Sequence, residues 1–259
     1  VLMHECAHKS LFRTKWMNEV FGQWLCAYPI RFDMLRYRAE HMVHHKYAQT
    51  DRDPDLWLTA PFPTTPRGLR RKLTRDLLGQ TGLRRVVGLF LLDIGYLEGS
   101  APKVTKNANW TPREGLRRGF ERLWRPVLFH AAFLAILTAF GHPELFLLWW
   151  AAYMTTYSVV LRIRAIAEHS VVPDVTDPWR HTRTTLASPL ERAFLAPNWV
   201  NYHLEHHLIP NVPCYNLPAM HRMLRDRGAL AETDAAVAKG YGEVLRLAAS
   251  AQAVQPTPA

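Results

Sequence analysis

Cysteine is scarce. Cys6, Cys26 and Cys214 are the three in 259 residues, too few and too scattered for a disulfide framework or a cysteine-pair zinc site. They suit a reducing compartment and a packing role. Acidic residues are also short, 22 against 32 Lys and Arg, giving a net charge of +10. A surplus of that sign points to nucleic acid, an anionic membrane surface or an acidic protein. The arginines are spread along the chain with no dedicated basic arm, which fits the positive cytoplasmic face of a membrane protein and argues against a nucleic-acid partner. Secretory signal segments, internal repeats and low-complexity tracts are not visible. The chain opens on Val1 rather than Met and reads as a piece whose natural start lies upstream.

Long apolar runs are nearly missing too. Across residues 126–161 the sole charge is Glu144, and the tetrapeptide Gly141-His142-Pro143-Glu144 divides that run into 126–140 and 145–161. Each piece is at or below the lower limit of about 17 residues for a membrane-crossing helix. Arg122 and Arg125 flank one end and Arg162 and Arg164 the other, so the positive-inside rule puts both ends in the cytoplasm and the turn outside. The stretch 21–30, interrupted by Gln23, reads as a short membrane-dipping or interfacial helix, and 86–97, with Asp93, is too short to span and reads as an interfacial helix. Pro54, Pro61, Pro63 and Pro66 mark a surface connection leading into a very basic helix. A basic amphipathic helix over 218–230 and an Ala-rich one precede the tail Pro256-Thr257-Pro258-Ala259. The expected fold is all-α. At least one transmembrane hairpin supports a cytoplasmic helical cap, with a catalytic domain over 1–230 and a C-terminal helix and tail over 231–259.

What the chain has in excess is histidine. Eight of its thirteen fall in three clusters: His4 and His8 in His4-Glu5-Cys6-Ala7-His8, then His41, His44 and His45, then His203, His206 and His207. On a helix, positions i, i+3 and i+4 share one face, so each cluster aims two or three imidazoles in one direction. Eight imidazoles exceed the coordination of one ion, which implies two metals. Imidazole suits iron, copper, nickel and zinc alike, and redox chemistry would exclude zinc. The second and third clusters lie on opposite sides of the hairpin, whose ends share one membrane face, so all three can meet there. His130, His142, His181 and His221 stand alone and are read as non-ligands. Two other readings stay open. His4-Glu5-Cys6-Ala7-His8 also satisfies the H-E-x-x-H pattern of zinc proteases, with Glu5 as general base. Histidines beside membrane helices also occur in metal transporters, although rigid triplets are a poor design for release.

The three motifs, H-x3-H, H-x2-HH and H-x2-HH, resemble the histidine boxes of the membrane fatty acid desaturase superfamily. The likeness extends to Asn201-Tyr202-His203-Leu204-Glu205-His206-His207-Leu208, to Pro210-Asn211-Val212-Pro213 and Tyr215-Asn216-Leu217-Pro218, and to Asp53-Pro54-Asp55. It runs from about residue 2 to 225 and is more specific for the superfamily than for a substrate. It implies two iron ions (Fe2+/Fe3+) that activate dioxygen with two electrons from outside and remove hydrogen from a membrane acyl chain. It implies His4, His8, His41, His44, His45, His203, His206 and His207 as ligands, with His169 completing the shell. Glu5, Glu168, Asn201 and Glu205 become candidates for fixing imidazole tautomers. The same ligand set serves hydroxylases and carotenoid ketolases or hydroxylases. Transmembrane sequence ahead of the first box, usual in the family, is missing here, and the third box opens on His203 where many front-end desaturases carry Gln. A heme-binding His-Pro-Gly-Gly is also missing, so electrons are expected from a separate ferredoxin or cytochrome b5-type donor. The expected location is the bacterial inner membrane, with the site on its cytoplasmic face.

Overall fold

The computed structural model describes residues 1–100 and 103–251, and it is helical through most of them. Helix α1 (Leu2–Ala7) leads to α2 (Lys15–Phe21), which continues through a wide π turn (Gly22–Ala27) and a 3-10 turn (Tyr28–Ile30). The left-handed Arg31, φ 58°, stops it. The apolar stretch 21–30 is therefore helical but short. At Gly22 a Cβ would stand 2.6 Å from the Cys6 Cβ and 2.3 Å from the Met34 Sδ, so only glycine lets this turn lie against its neighbours on both sides. Asp33 caps α3 (Met34–Tyr47) by accepting from the Arg36 amide.

The short α4 (Leu56–Thr59) precedes α5 (Pro66–Leu77), which has Pro66 in its first turn and the Thr65 hydroxyl as cap. Helix α6 (Gln80–Asp93) covers most of the expected 86–97 helix and leaves Leu83, Val87 and Phe90 exposed. Its last residue, Asp93, pairs with Arg31 at 2.8 Å. An antiparallel hairpin of β1 (Leu97–Ser100) and β2 (Lys103–Lys106) follows.

The hairpin of the sequence reading takes a different form. Its turn is present, with Gly141 at φ +81°. The first arm, however, belongs to α7 (Pro112–Ala139), which begins well before residue 126. The Thr111 cap and the ion pairs Glu114–Arg117, Glu114–Arg118 and Arg117–Glu121 let the helix start in polar sequence. The second arm is α8 (Glu144–Met154) followed almost without a break by α9 (Thr156–His169). Together, Glu144–His169 is the one stretch among the described residues long and apolar enough to cross a membrane. The structure thus gives one candidate span where two membrane-crossing arms were expected.

After α9 come β3 (Thr184–Thr185), α10 (Pro189–Phe194), α11 (His203–Leu208), α12 (Leu217–Asp226), α13 (Ala229–Glu232), β4 (Val237–Ala238) and α14 (Tyr241–Ala248). Strands β3 and β4 pair in parallel. Residues 231–251 are built into the core: Ala238, Tyr241, Val244 and Ala248 pack with Phe62, Leu69, Ile166 and Val200. The expected tail lies outside the described residues.

Helix α5 is fastened to α9 by a buried ion pair. The Asp76 carboxylate accepts from Arg162 at 3.0 Å (Nη2 to Oδ1) and through Nε, and from the Thr81 hydroxyl at 2.6 Å. Removing one partner of such a pair strands the other charge. Asp76→Ala is expected to destabilise the fold by about 3–5 kcal/mol, measured by thermal unfolding in detergent.

Candidate metal centre

Four segments supply the imidazoles. Helix α1 carries His4, with His8 at its C-cap, α3 carries His41, His44 and His45, His169 is the last residue of α9, and α11 carries His203, His206 and His207. Two buried or half-buried arginines fasten these segments. Arg38 of α3 donates to the carbonyls of Cys6 (3.1 Å) and Ala7 (2.8 Å) at the end of α1. Arg183 donates to the carbonyls of Ala167 (3.2 Å) and Ser170 (2.9 Å) at the end of α9, and burial pushes its pKa down to about 10.

The nine rings form two groups. One holds His4, His8, His41, His45 and His206, the other His44, His169, His203 and His207, and within each the candidate ligand nitrogens lie within 4.8 Å of one another. The groups share a wall, since the His45 and His207 rings stack at 4.2 Å. The division follows helix geometry. In α3 the i, i+4 pair His41 and His45 serves one group while His44 serves the other; in α11 the pair His203 and His207 serves the second while His206 serves the first. Residues four apart are offset by about 40° around the helix and residues three apart by about 60° the other way, so one turn can address two points.

In the first group the Nε2 atoms run His8–His41 (2.9 Å), His41–His45 (3.1 Å) and His45–His206 (3.0 Å). In the second, Nε2 of His169 lies 3.1 Å from that of His44 and 2.8 Å from that of His203. Two nitrogens at right angles on an ion about 2.1 Å from each stand about 3.0 Å apart. Nε2 of His4 and both ring nitrogens of His207 are buried with no hydrogen-bond partner. Burial, reinforced by neighbouring imidazoles, holds His4, His41, His203, His206 and His207 well below the ordinary histidine range. Burial lowers His45 to about 3 and, aided by Arg38, His8 to about 4. Uncharged rings with crowded, unsatisfied lone pairs are the state a cation requires. The residues present fit two metal ions.

His44 is the exception. Burial lowers its pKa, but Asp53, whose Oδ1 accepts from His44 Nδ1 at 2.8 Å, outweighs burial and leaves it raised. Asp53 is itself buried and held by the amides of Gln49 and Asp55, both at 2.8 Å. This carboxylate fixes the His44 tautomer and leaves Nε2 for the metal side. The sequence reading gave Asp53 no such role. The available signal was an acidic residue in a loop just beyond the second histidine motif.

Of the four residues expected to fix tautomers, Glu5 alone contacts a clustered imidazole, with Oε1 3.2 Å from His4 Nδ1. Its other oxygen accepts from the Ser10 hydroxyl (3.0 Å) and the Cys214 amide (3.1 Å), so it is occupied as an anchor and poorly placed as a general base. Glu168 instead binds Arg164, because position 164 is one turn back on the same helix. Asn201 donates to the Thr185 carbonyl at 2.9 Å, and Glu205 points away from the centre to His221 and Thr184. The solitary histidines lie outside both groups. His130 stacks on Trp150, His142 is exposed beside Glu144, and His181 donates from Nδ1 to the Asp177 carbonyl. A two-histidine protease zinc site does not match this arrangement, since His4 and His8 share their group with three further rings.

Asp53→Ala is expected to lower metal affinity at the four-histidine group by about 10- to 100-fold and to spare the five-histidine group. Equilibrium metal titration resolves the two.

Comparison with known proteins gives this geometry a context. A dihydrorhizobitoxine desaturase from Bradyrhizobium elkanii is 28% identical over 226 residues, covering 83% of this chain and 60% of that protein. An sn-1 oleoyl-lipid 12-desaturase from Picosynechococcus is 26% identical over 243 residues, with coverage of 84% and 62%. A chloroplastic omega-6 fatty acid desaturase from Spinacia oleracea is 21% identical over 253 residues, with coverage of 87% and 50%. The chain therefore spans between 50% and 62% of the length of these three relatives. The sequence profile of the fatty acid desaturase family matches residues 1–239, and the chain belongs to that family.

Proposed function

We propose that this protein is an oxygen-dependent di-iron desaturase that introduces a C=C bond into an acyl chain of a membrane lipid. The observation that carries the reading is the gathering of nine imidazoles from four separate segments into two adjoining, largely buried groups. His4, His8, His41, His45 and His206 would hold one iron, and His44, His169, His203 and His207 the other. Bound iron supplies dioxygen activation, with two electrons delivered from outside the chain. The protein's own part is to hold the rings uncharged, to fix His44 through Asp53, and to keep bulk water from nitrogens that are mostly buried. The names of the relatives favour desaturation over the hydroxylation that the same ligand set allows.

The family is membrane-bound, and the candidate span Glu144–His169 ends on His169, which supports delivery of an acyl chain to the centre from the bilayer. The basic surface suits a separate acidic electron donor, a ferredoxin or cytochrome b5-type protein. The catalytic unit comprises 1–230, with the core contacts of 231–251 closing against it, in an inner membrane with the site on the cytoplasmic face.

The full-length protein from metal-replete cells is expected to contain two irons per chain by elemental analysis, with Mössbauer parameters of nitrogen-ligated high-spin iron. One zinc and no iron would overturn the reading. Alanine at any of the nine clustered histidines, His44 first, is expected to abolish formation of unsaturated lipid product measured by mass spectrometry. His142→Ala, at the exposed turn, is expected to leave it unchanged.

A further inference from the structure

Helix α11 has only six residues, too few to hold a helical shape unaided, yet it serves both histidine groups. Its rear face carries Leu204 and Glu205, both fully buried. The two Glu205 oxygens have separate partners. Oε1 accepts from His221 Nδ1 at 2.6 Å, and Oε2 accepts from the Thr184 hydroxyl. Among the described residues, His221 is the one basic side chain within ion-pairing distance of it.

These partners come from elements fixed elsewhere. His221 lies on α12, whose Leu217 and Met220 are buried beside it. Its ring also stands 5.1 Å from that of Tyr202, the residue that opens α11. Thr184 belongs to β3, which pairs with β4 and forms a bridge to Tyr202. The ligand helix is therefore gripped from behind at its start and at its middle. Metal–ligand distances tolerate only about 0.2 Å, so a small rotation of α11 would misaim His203, His206 and His207 together.

We propose that His221 is a positioning residue for both metals. Through Glu205 it sets the rotation of α11 and hence the aim of three imidazoles, a role that rests on the di-metal reading above. Without the ring, a buried carboxylate loses one of its two side-chain partners, and the helix can relieve that by turning the carboxylate outward.

The test uses the full-length, iron-loaded protein and follows iron release to a ferrous chelator, with thermal unfolding measured in parallel. His221→Ala is expected to release both irons about 10- to 100-fold faster than wild type. His221→Asn, whose amide nitrogen can stand where Nδ1 stands, is expected to restore most of the retention. Thr184→Val trims the same clamp from its other side, keeps the side-chain shape, and is expected to speed release as well; it carries the test if His221→Ala does not fold. Asp76→Asn, at the distant ion pair, is expected to lower the unfolding temperature without altering release. Wild type with two irons and unchanged release in His221→Ala, or in Thr184→Val where that variant carries the test, would overturn the positioning role alone. Equal acceleration in Asp76→Asn would also overturn it, by making release a matter of general stability. Wild type without iron would overturn this role and the di-metal reading together.

Discussion

Nine imidazoles pressed into two touching groups cannot satisfy one another. Each uncharged ring has one N–H and one lone pair, and here several nitrogens are buried with no hydrogen-bond partner while others stand 2.8–3.1 Å from their neighbours. Desolvation and mutual repulsion both oppose protonation of rings such as His4 and His41, while His44, paired with Asp53, is the exception. The arrangement is one that suits two cations, and the surrounding structure serves to keep it assembled. Arg38 ties α1 to α3, Arg183 closes the end of α9, Asp53 orients His44, and Glu205 is held from behind α11.

The same constraint explains why so polar a cluster can lie beside an apolar helix. His169 ends the stretch Glu144–His169, where the open carbonyls of a helix C-terminus begin and side-chain donors such as Arg183 are needed. One turn further back, Arg164 is matched by Glu168, and near the middle of α9 Arg162 is matched by Asp76 of α5. The charged residues of α9 are each paired, so the helix changes from apolar to polar along its length without stranding a charge.

Local chemistry was legible in the chain. The i, i+3, i+4 spacing of the histidines and the Gly141 turn depend on neighbours a few residues away. Helix boundaries were less so. Apolarity stops at residue 126 but α7 does not, because ion pairs between successive turns sustain it through polar sequence. Residues 231–251 read as a C-terminal helix and the start of a tail, and the packing of Ala238, Tyr241, Val244 and Ala248 with Phe62 and Ile166 depends on contacts far along the chain.

The sequence by itself determined that clustered imidazoles are available and that one long stretch is apolar, since spacing and composition are properties of adjacent residues; the expectation that each cluster faces one way gave way to a split of the α3 and α11 clusters between two groups. Tertiary structure alone decided which rings share a group. Helix spacing can set His44 apart from His41 and His45, but nothing in the order of residues tells it to join His169 and His203. Nor does it say that Asp53 reaches an imidazole while Glu205 turns away to His221. Those assignments need contacts between residues 125 and 161 positions apart, as between His44 and His169 and between His45 and His206, and such contacts exist only once the helices have packed.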